Sequence, residues 1–366
     1  MGKIRCAVVG VGNCFSGLVQ GIEYYKQHPE QEVIGVMHPI MGNYSIHDID
    51  FVAAFDVDSK KVGVKLSDAI YSPPNKVKWV EKLSTMQNVV VMQSPQLDGV
   101  GHYVEKVVMP VTQKPIDELR SQILKELKEK KVEILVSYLP VGSEQATKFW
   151  AQICLDAKVG FVNCMPSFIA SDPQWAQKFE KAQIPIIGDD IKGQVGATIV
   201  HRALANLCDQ RGTKIDKTYQ INVGGNTDFL SMKEQERLQS KKISKTESVQ
   251  SQLTQRIPDE NIYVGPSDFI PFLSNTKLMF MRIEGRMWAN IPYNMEVRLE
   301  VDDKANSAGI VIDAIRYCKI ALDKKIYGPL IGPSAWLMKH PPKQFKDSQA
   351  REMAQEFAKT GSNKTE

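Results

Sequence analysis

An α/β fold is predicted for this chain of 366 residues: a doubly wound parallel sheet carrying an inserted α+β segment. Three observations predict it. Apolar strands alternate with helical patterns over residues 1–200, as a parallel sheet covered on both faces requires. The first strand runs directly into Gly10-Val11-Gly12 and then into a helix. After Thr198 the alternation stops, and four strand-like segments follow with no regular helix between them.

Residues 4–9 (IRCAVV) form the first strand, mostly apolar as a buried parallel strand must be. Leu18, Val19, Ile22 and Tyr25 then recur at helical spacing. A polar stretch, residues 38–47, reads as an insertion before the second strand at 50–58 (DFVAAFDVD). A short strand follows at 88–92. Residues 115–131 make an amphipathic helix with Ile116, Leu119, Ile123, Leu124 and Leu127 on one stripe. The strand 132–139, a helix from Glu144 and strands at 159–164 and 184–187 complete the alternating half. The later strands, 219–223, 261–264, 278–283 and 294–301, read as a mixed or antiparallel sheet. Residues 306–322 are a strong helix suited to packing back on the first half, and 344–366 a polar surface helix that frays. The chain therefore divides into a Rossmann-like domain of residues 1–200 and 305–348, an inserted domain of 201–304 and a polar tail of 349–366.

Composition excludes several function classes. Lys and Arg number 46 against 42 Asp and Glu, a net charge of only +4, without the concentrated basic patch and interleaved aromatics of a nucleic-acid binder. Cys6, Cys14, Cys154, Cys164, Cys208 and Cys318 show no C-x-x-C spacing and read as reduced, buried thiols. The histidines form no H-x-x-x-H pattern, so no metal site is predicted from ligand spacing. The N-terminus enters a strand at once, and Cys6 stands where a myristoylation pattern needs Ser or Thr. No apolar run is long enough to span a bilayer. A soluble, cytoplasmic protein is expected, with no nucleic-acid or membrane partner.

Gly10 and Gly12 end a strand and Asn13 opens a helix, the context of a dinucleotide site. Glycines there let backbone N–H groups approach a pyrophosphate at the positive helix end. The third glycine of the motif is absent: Phe15 takes its place and Gly17 comes two residues late. Asp56 is the acidic residue for the ribose hydroxyls, and the insertion explains why it lies far beyond the usual ~20 residues downstream. With no Arg just after it, Asp56 favours NAD over NADP. A tight turn that binds no nucleotide remains the alternative.

The second half carries the charge. Lys241 and Lys245 would share one helix face, where like charges cost a few tenths of a kcal/mol, or about that, unless an anion offsets them. Residues 188–198 (GDDIKGQVGAT) follow a strand and place small residues before a helix, a second anion cradle. Asp189, Asp190 and Lys192 there sit where open α/β sheets bind ligands. Lys277, Asp302, Asp303, Lys339, Asn226 and Asp228 are isolated candidates, each of a type more often found on the surface.

Four segments carry a resemblance: 188–192 (GDDIK), 225–228 (GNTD), 240–245 (SKKISK) and Lys339 with its Pro-rich follower. From Lys3 to Pro342 the chain resembles the myo-inositol-1-phosphate synthase family in its short bacterial and archaeal form. GVGNCFS and GNTD stand where the longer eukaryotic pattern has a Gly-Gly-Asn-Asn run and GNND. The resemblance implies NAD-dependent isomerisation of D-glucose 6-phosphate to 1L-myo-inositol 1-phosphate, the first step of inositol and inositol phospholipid biosynthesis. Carbon 5 is oxidised, carbon 6 loses a proton, the enolate closes on carbon 1, and carbon 5 is reduced again. It implies Lys241, Lys245, Lys277, Lys339, Asp190 and Asp303 as the catalytic set. Lys241 and Lys339 would lie near the carbon 5 oxygen. Lys245 and Lys277 would meet the phosphate and the carbon 1 oxygen, and the aspartates would orient lysines and relay protons. Lys192, Gly193, Gln194, Thr198, Asn226 and Asp228 would hold substrate; Gly10, Gly12, Asn13, Asp56, Ser137 and Asp189 would hold NAD. A homotetramer formed through the inserted sheet is expected, and a further cation near the phosphate and nicotinamide is left open. A plain NAD-dependent sugar dehydrogenase and a non-catalytic NAD sensor remain as alternatives; neither needs four converging lysines.

Overall fold

The computed structural model describes residues 2–363; residues 364–366, the end of the expected tail, lie outside the described residues. Seven strands form the main sheet, in the spatial order Gly328–Pro329, Pro185–Ile187, Gly160–Asn163, Ile134–Ser137, Ile4–Val9, Ile49–Asp56 and Val91–Gln93. Every neighbouring pair runs parallel. Winding reverses at Ile4–Val9, which lies between the strands Ile49–Asp56 and Ile134–Ser137. This is the Rossmann-like order with one short strand added at its far edge, and the reversal opens a crevice at the strands' carboxyl ends.

Strand Ile4–Val9 shows why the sheet is double-faced. Ile4, Cys6 and Val8 pack in one core with Phe15 and Leu18 of helix Asn13–Gln27 and Val311 and Ile315 of helix Ala305–Asp323. Ala7 and Val9 pack in the other with Ile123, Leu127, Trp150 and Ile153 of helices Ile116–Glu129 and Glu144–Ala157. Successive residues face opposite sides, so both sets must be apolar. The segment read as a polar insertion is more ordered than expected. It holds a small hairpin, Ile40–Met41 with Tyr44–Ser45, whose Pro39 and Tyr44 carbonyls accept from Arg316 at 3.1 and 3.3 Å.

The second sheet is mixed, in the order Ile262–Phe269, Lys214–Gly224, Thr276–Arg286, Pro292–Asp302; only the first pair is parallel. Ile215, Val264 and Ile283 pack on Ala205 and Cys208 of helix Ala197–Gln210, while Tyr219, Ile221, Tyr263 and Phe280 stay exposed. Contrary to expectation, a helix, Gln239–Gln250, lies between these strands. Its buried face includes Ser244, Lys245, Ser248 and Gln250, so no apolar period marks it in the sequence. The expected terminal helix forms, but it packs into the core instead of lying on the surface. Asp347–Thr360 is a helix whose Ala350, Ala354 and Phe357 are buried, and the boundary drawn after residue 348 falls inside it. Among the described residues no helix is long and apolar enough to cross a membrane.

Candidate active site

A cavity of about 260 Å³ opens at the carboxyl ends of the main sheet, where the second sheet closes over it. Its first wall is the glycine loop. Gly10 adopts φ +90°, and a Cβ there would stand 2.5 Å from the Tyr138 carbonyl oxygen, so glycine is required. Gly12 is the N-cap of helix Asn13–Gln27, has no side-chain cap bond, and has open space where a Cβ would be. The helix's first N–H groups are thus left for an anion. Asp56 is held at the strand end beside this seat. Its Oδ2 accepts from the Val11 N–H at 2.7 Å, and its Oδ1 from those of Val57 and Asp58 at 2.7 and 2.9 Å. An uncapped helix start, a glycine cradle and a fixed carboxylate fit NAD. Asn13 lines the same wall, its Oδ1 accepting from the Lys76 N–H at 2.6 Å.

Opposite this wall the lysines converge. Lys241, Lys245, Lys277 and Lys339 all line the one cavity, with Asp190, Asp228 and Asp303. Lys339 Nζ donates to Asp190 Oδ1 at 2.7 Å and to the Ile191 carbonyl at 2.6 Å. The Ser244 hydroxyl, from the lysine-bearing helix, donates to Asp190 Oδ2 at 2.7 Å. Lys277 pairs with Asp303 at 3.2 Å, and Lys241 lies 3.7 Å from Asp228. Lys245 sits one turn beyond Lys241 and is 8% exposed.

The charges tune one another. Burial, reinforced by Lys241, Lys277 and Lys339, holds the Lys245 ammonium well below the ordinary lysine range. Burial also lowers Lys339, with Asp190 offsetting part of the effect. Burial opposes ionisation of Asp190, yet Lys339 and Lys241 outweigh it and keep the carboxyl below its usual range. Asp303 shows the same balance more strongly, held well down by Lys277 and Lys304. Both carboxylates are held toward the ionised state, which suits them to orienting the lysines beside them.

The remaining expected residues divide. Thr198 lines the cavity in the first turn of helix Ala197–Gln210, whose N-cap Gly196 makes no side-chain cap bond, so a second anion seat faces the lysines. Gly193 lines it too. Lys192 reaches the cavity wall, but its ammonium is turned to the Ala335 carbonyl at 2.8 Å and to Asp347 at 3.7 Å. Asn226, Gln194, Ser137 and Asp189 stand behind the lining. Asn226 Oδ1 caps helix Thr227–Ser231, and its Nδ2 donates to Asp303 at 3.2 Å. The Gln194 side chain donates to the Gly35 carbonyl. Ser137 is wholly buried at its strand end. Asp189 accepts from Asn163 Nδ2, from the N–H groups of Ile169, Ala170 and Ser171, and from the Ser171 hydroxyl. Burial raises its pKa to about 6 even so. It latches a loop, while its neighbour Asp190, at φ +62°, turns into the cavity.

Sequence reasoning missed Lys304, Ser244, Lys61 and Asn75. Lys61 lies 3.9 Å from Asp56 and donates to the Val11 carbonyl at 2.9 Å, and Asn75 donates to the same oxygen at 3.0 Å. Lys304 follows Asp303 at a strand-to-helix turn, the one local signal that marked it. Among the described residues no three His, Cys, Asp or Glu side chains gather as a metal-holding group.

Residues 196–304 match the sequence model of a family described as myo-inositol-1-phosphate synthase. The chain is 52% identical over 357 residues to inositol-3-phosphate synthase of Mycobacterium tuberculosis, covering 97% of this chain and 95% of that protein. It is 51% identical over 362 residues to inositol-3-phosphate synthase of Mycolicibacterium smegmatis, covering 97% and 98%. In fold it is similar to the crystal structure of a myo-inositol-1-phosphate synthase-related protein from Thermotoga maritima, at TM-score 0.83 and 24% identity over 98% of each chain. Fold and site together define an α/β enzyme of Rossmann-like architecture with a lysine-lined pocket at its switch point. The chain belongs to the myo-inositol-1-phosphate synthase family.

Proposed function

We propose that this chain is an NAD-dependent isomerase that cyclises D-glucose 6-phosphate to 1L-myo-inositol 1-phosphate, without net oxidation. The observation that carries the reading is the convergence of Lys241, Lys245, Lys277 and Lys339 in one cavity with the glycine loop. Gly10, Gly12, Asn13 and Asp56 would hold NAD, which would supply the acceptor and donor of the carbon 5 hydride. The lysines do the rest. Ketone, enolate and alkoxide oxygens each carry negative charge, and buried ammonium groups stabilise it far better than water does. Lys241 and Lys339 are assigned to the carbon 5 oxygen. Lys245 and Lys277 are assigned to the phosphate and the carbon 1 oxygen. A lysine whose pKa is lowered exchanges a proton near neutrality more readily, which suits Lys245 to the proton lost from carbon 6. Asp190 and Asp303 hold Lys339 and Lys277 in place. Gly193 and Thr198, at the second helix start, are assigned to the phosphate.

The four-stranded sheet and the family match both fall near residues 201–304, which supports treating that segment as the catalytic and subunit-pairing domain inserted in a Rossmann-like domain. The exposed Tyr219, Ile221, Tyr263 and Phe280 of that sheet, with Trp288 at 93% exposure, support a homotetramer formed through it. Six free cysteines fit a reducing compartment, the cytoplasm.

The test is direct. The protein is incubated with NAD and glucose 6-phosphate, and inositol phosphate and NADH are measured together. Inositol phosphate without accumulating NADH is expected. Stoichiometric NADH would make it a dehydrogenase, and cofactor binding without turnover would make it a sensor.

A further inference from the structure

Lys304 has no place in the catalytic set above, yet its surroundings are built with care. It stands on the turn between strand Pro292–Asp302 and helix Ala305–Asp323, where Asp302 Oδ1 accepts from the N–H groups of Lys304 and Ala305 at 2.9 Å each. Its side chain is 2% exposed, a position lysine tolerates only when paired. The stem lies against the glycine-loop helix: a Cβ on Gly17 would meet Lys304 Cβ at 3.2 Å and the Trp79 ring at 3.1 Å. The glycine that comes two residues late in the loop motif is therefore where this lysine crosses the helix. Its ammonium reaches Cys14 Sγ, in that helix's first turn, at 3.4 Å, and Asp303 Oδ2 at 3.1 Å. Asp303 in turn holds Lys277 through its other oxygen and accepts from Asn226.

We propose that Lys304 is a positioning residue: it clamps Asp303 to the first turn of the glycine-loop helix and so fixes Lys277 relative to the cofactor side of the cavity. The inference rests on the synthase reading for the reaction it serves. The geometry carries it, because one ammonium touches an element of each half of the site. Burial opposes its charge, but Cys14, Asp303 and Asp228 together raise its pKa above the ordinary lysine range. Lys304 thus serves the clamp as a cation, paired with Asp303 at 3.1 Å. Misplacing Lys277 by about 1 Å from a reacting oxygen can cost on the order of 10²-fold in rate, so the clamp acts on rate more than on substrate affinity.

The experiment is a double-mutant cycle in the full chain with K304M, D303N and the double variant. It reads kcat, KM for glucose 6-phosphate, the NAD dissociation constant by calorimetry, and the thermal midpoint. K304M is expected to lower kcat about tenfold or more while KM stays within about threefold. NAD binding should weaken severalfold, and the double variant should turn over no more slowly than D303N alone. Losses that multiply in the double variant, or a K304M enzyme with unchanged kcat and unchanged NAD affinity, would overturn the clamp. K304Q keeps a donor for Asp303 without the charge and replaces K304M in the cycle if that variant fails to fold. Absence of inositol phosphate from the unmodified protein would sink the synthase reading instead; the NAD-binding arm still judges the clamp.

Discussion

The two walls of the cavity are made by different means. The cofactor wall is local and largely backbone: Gly10, Gly12 and Asp56 come from one strand, turn, helix and strand, and Asp56 is held by three N–H groups. The substrate wall brings Asp190, Lys241, Lys277, Asp303 and Lys339 from separate segments, and its contacts are mostly side chain to side chain. A backbone seat survives most single substitutions except where it needs glycine. A side-chain cluster fails one residue at a time.

The largest effect expected from this contrast is at Lys241. Lys241→Ala should cut product formation by about 10²–10³-fold or more while NAD binding, measured by calorimetry, stays nearly intact. Loss of NAD binding would erase the distinction between the walls. Next comes Gly10→Ala, which places a methyl 2.5 Å from the Tyr138 oxygen at φ +90°. Strain of about 1–3 kcal/mol is expected there, seen as a lower unfolding midpoint and NAD affinity weakened about tenfold. Unchanged NAD affinity would show that the cradle is not the cofactor's seat.

Two pH experiments sharpen the contrast. Lys339 is lowered by burial and partly restored by Asp190. Activity should therefore fall on the alkaline side below the ordinary lysine range, and in Asp190→Asn that limb should move to still lower pH. A limb that stays in place would detach Lys339 from Asp190. The smallest effect concerns stability. Burial lowers His201 from 6.5 to about 4, with Thr218 and Gln220 beside its ring nitrogens. As pH falls, the unfolded chain takes the proton first, so stability should decline from pH 6.5 toward 4 and then level off. In His201→Gln this part of the decline should vanish; a midpoint-against-pH curve identical to that of the unsubstituted protein would contradict it.

Legibility in the sequence followed the same divide. The parallel sheet and its glycine loop were readable because buried strands and helix stripes leave apolar periods. Helix Gln239–Gln250 was not, because four of its five buried residues, Ser244, Lys245, Ser248 and Gln250, are polar. The Asp347–Thr360 helix read as a surface helix because only Ala350, Ala354 and Phe357 mark its inner face. Lys241 and Lys245 stood out by their spacing, but joining them to Lys277 and Lys339 as one set rested on the family resemblance, since isolated charges carry no period. Asp189 and Asp190 were adjacent equals in sequence; only the backbone turn at Asp190 separates a latch from a site residue. Lys304 escaped notice because nothing in sequence joins it to Cys14, 290 residues earlier.

Glucose 6-phosphate carrying deuterium at carbon 5 offers the most direct trial of a cofactor reduced and reoxidised in place beside the gathered lysines. Retention of the deuterium at the corresponding carbon of the inositol phosphate, with none in free NADH, is the predicted result. Washing of the label into a pool of released NADH, or a product that lacks it, would contradict the account.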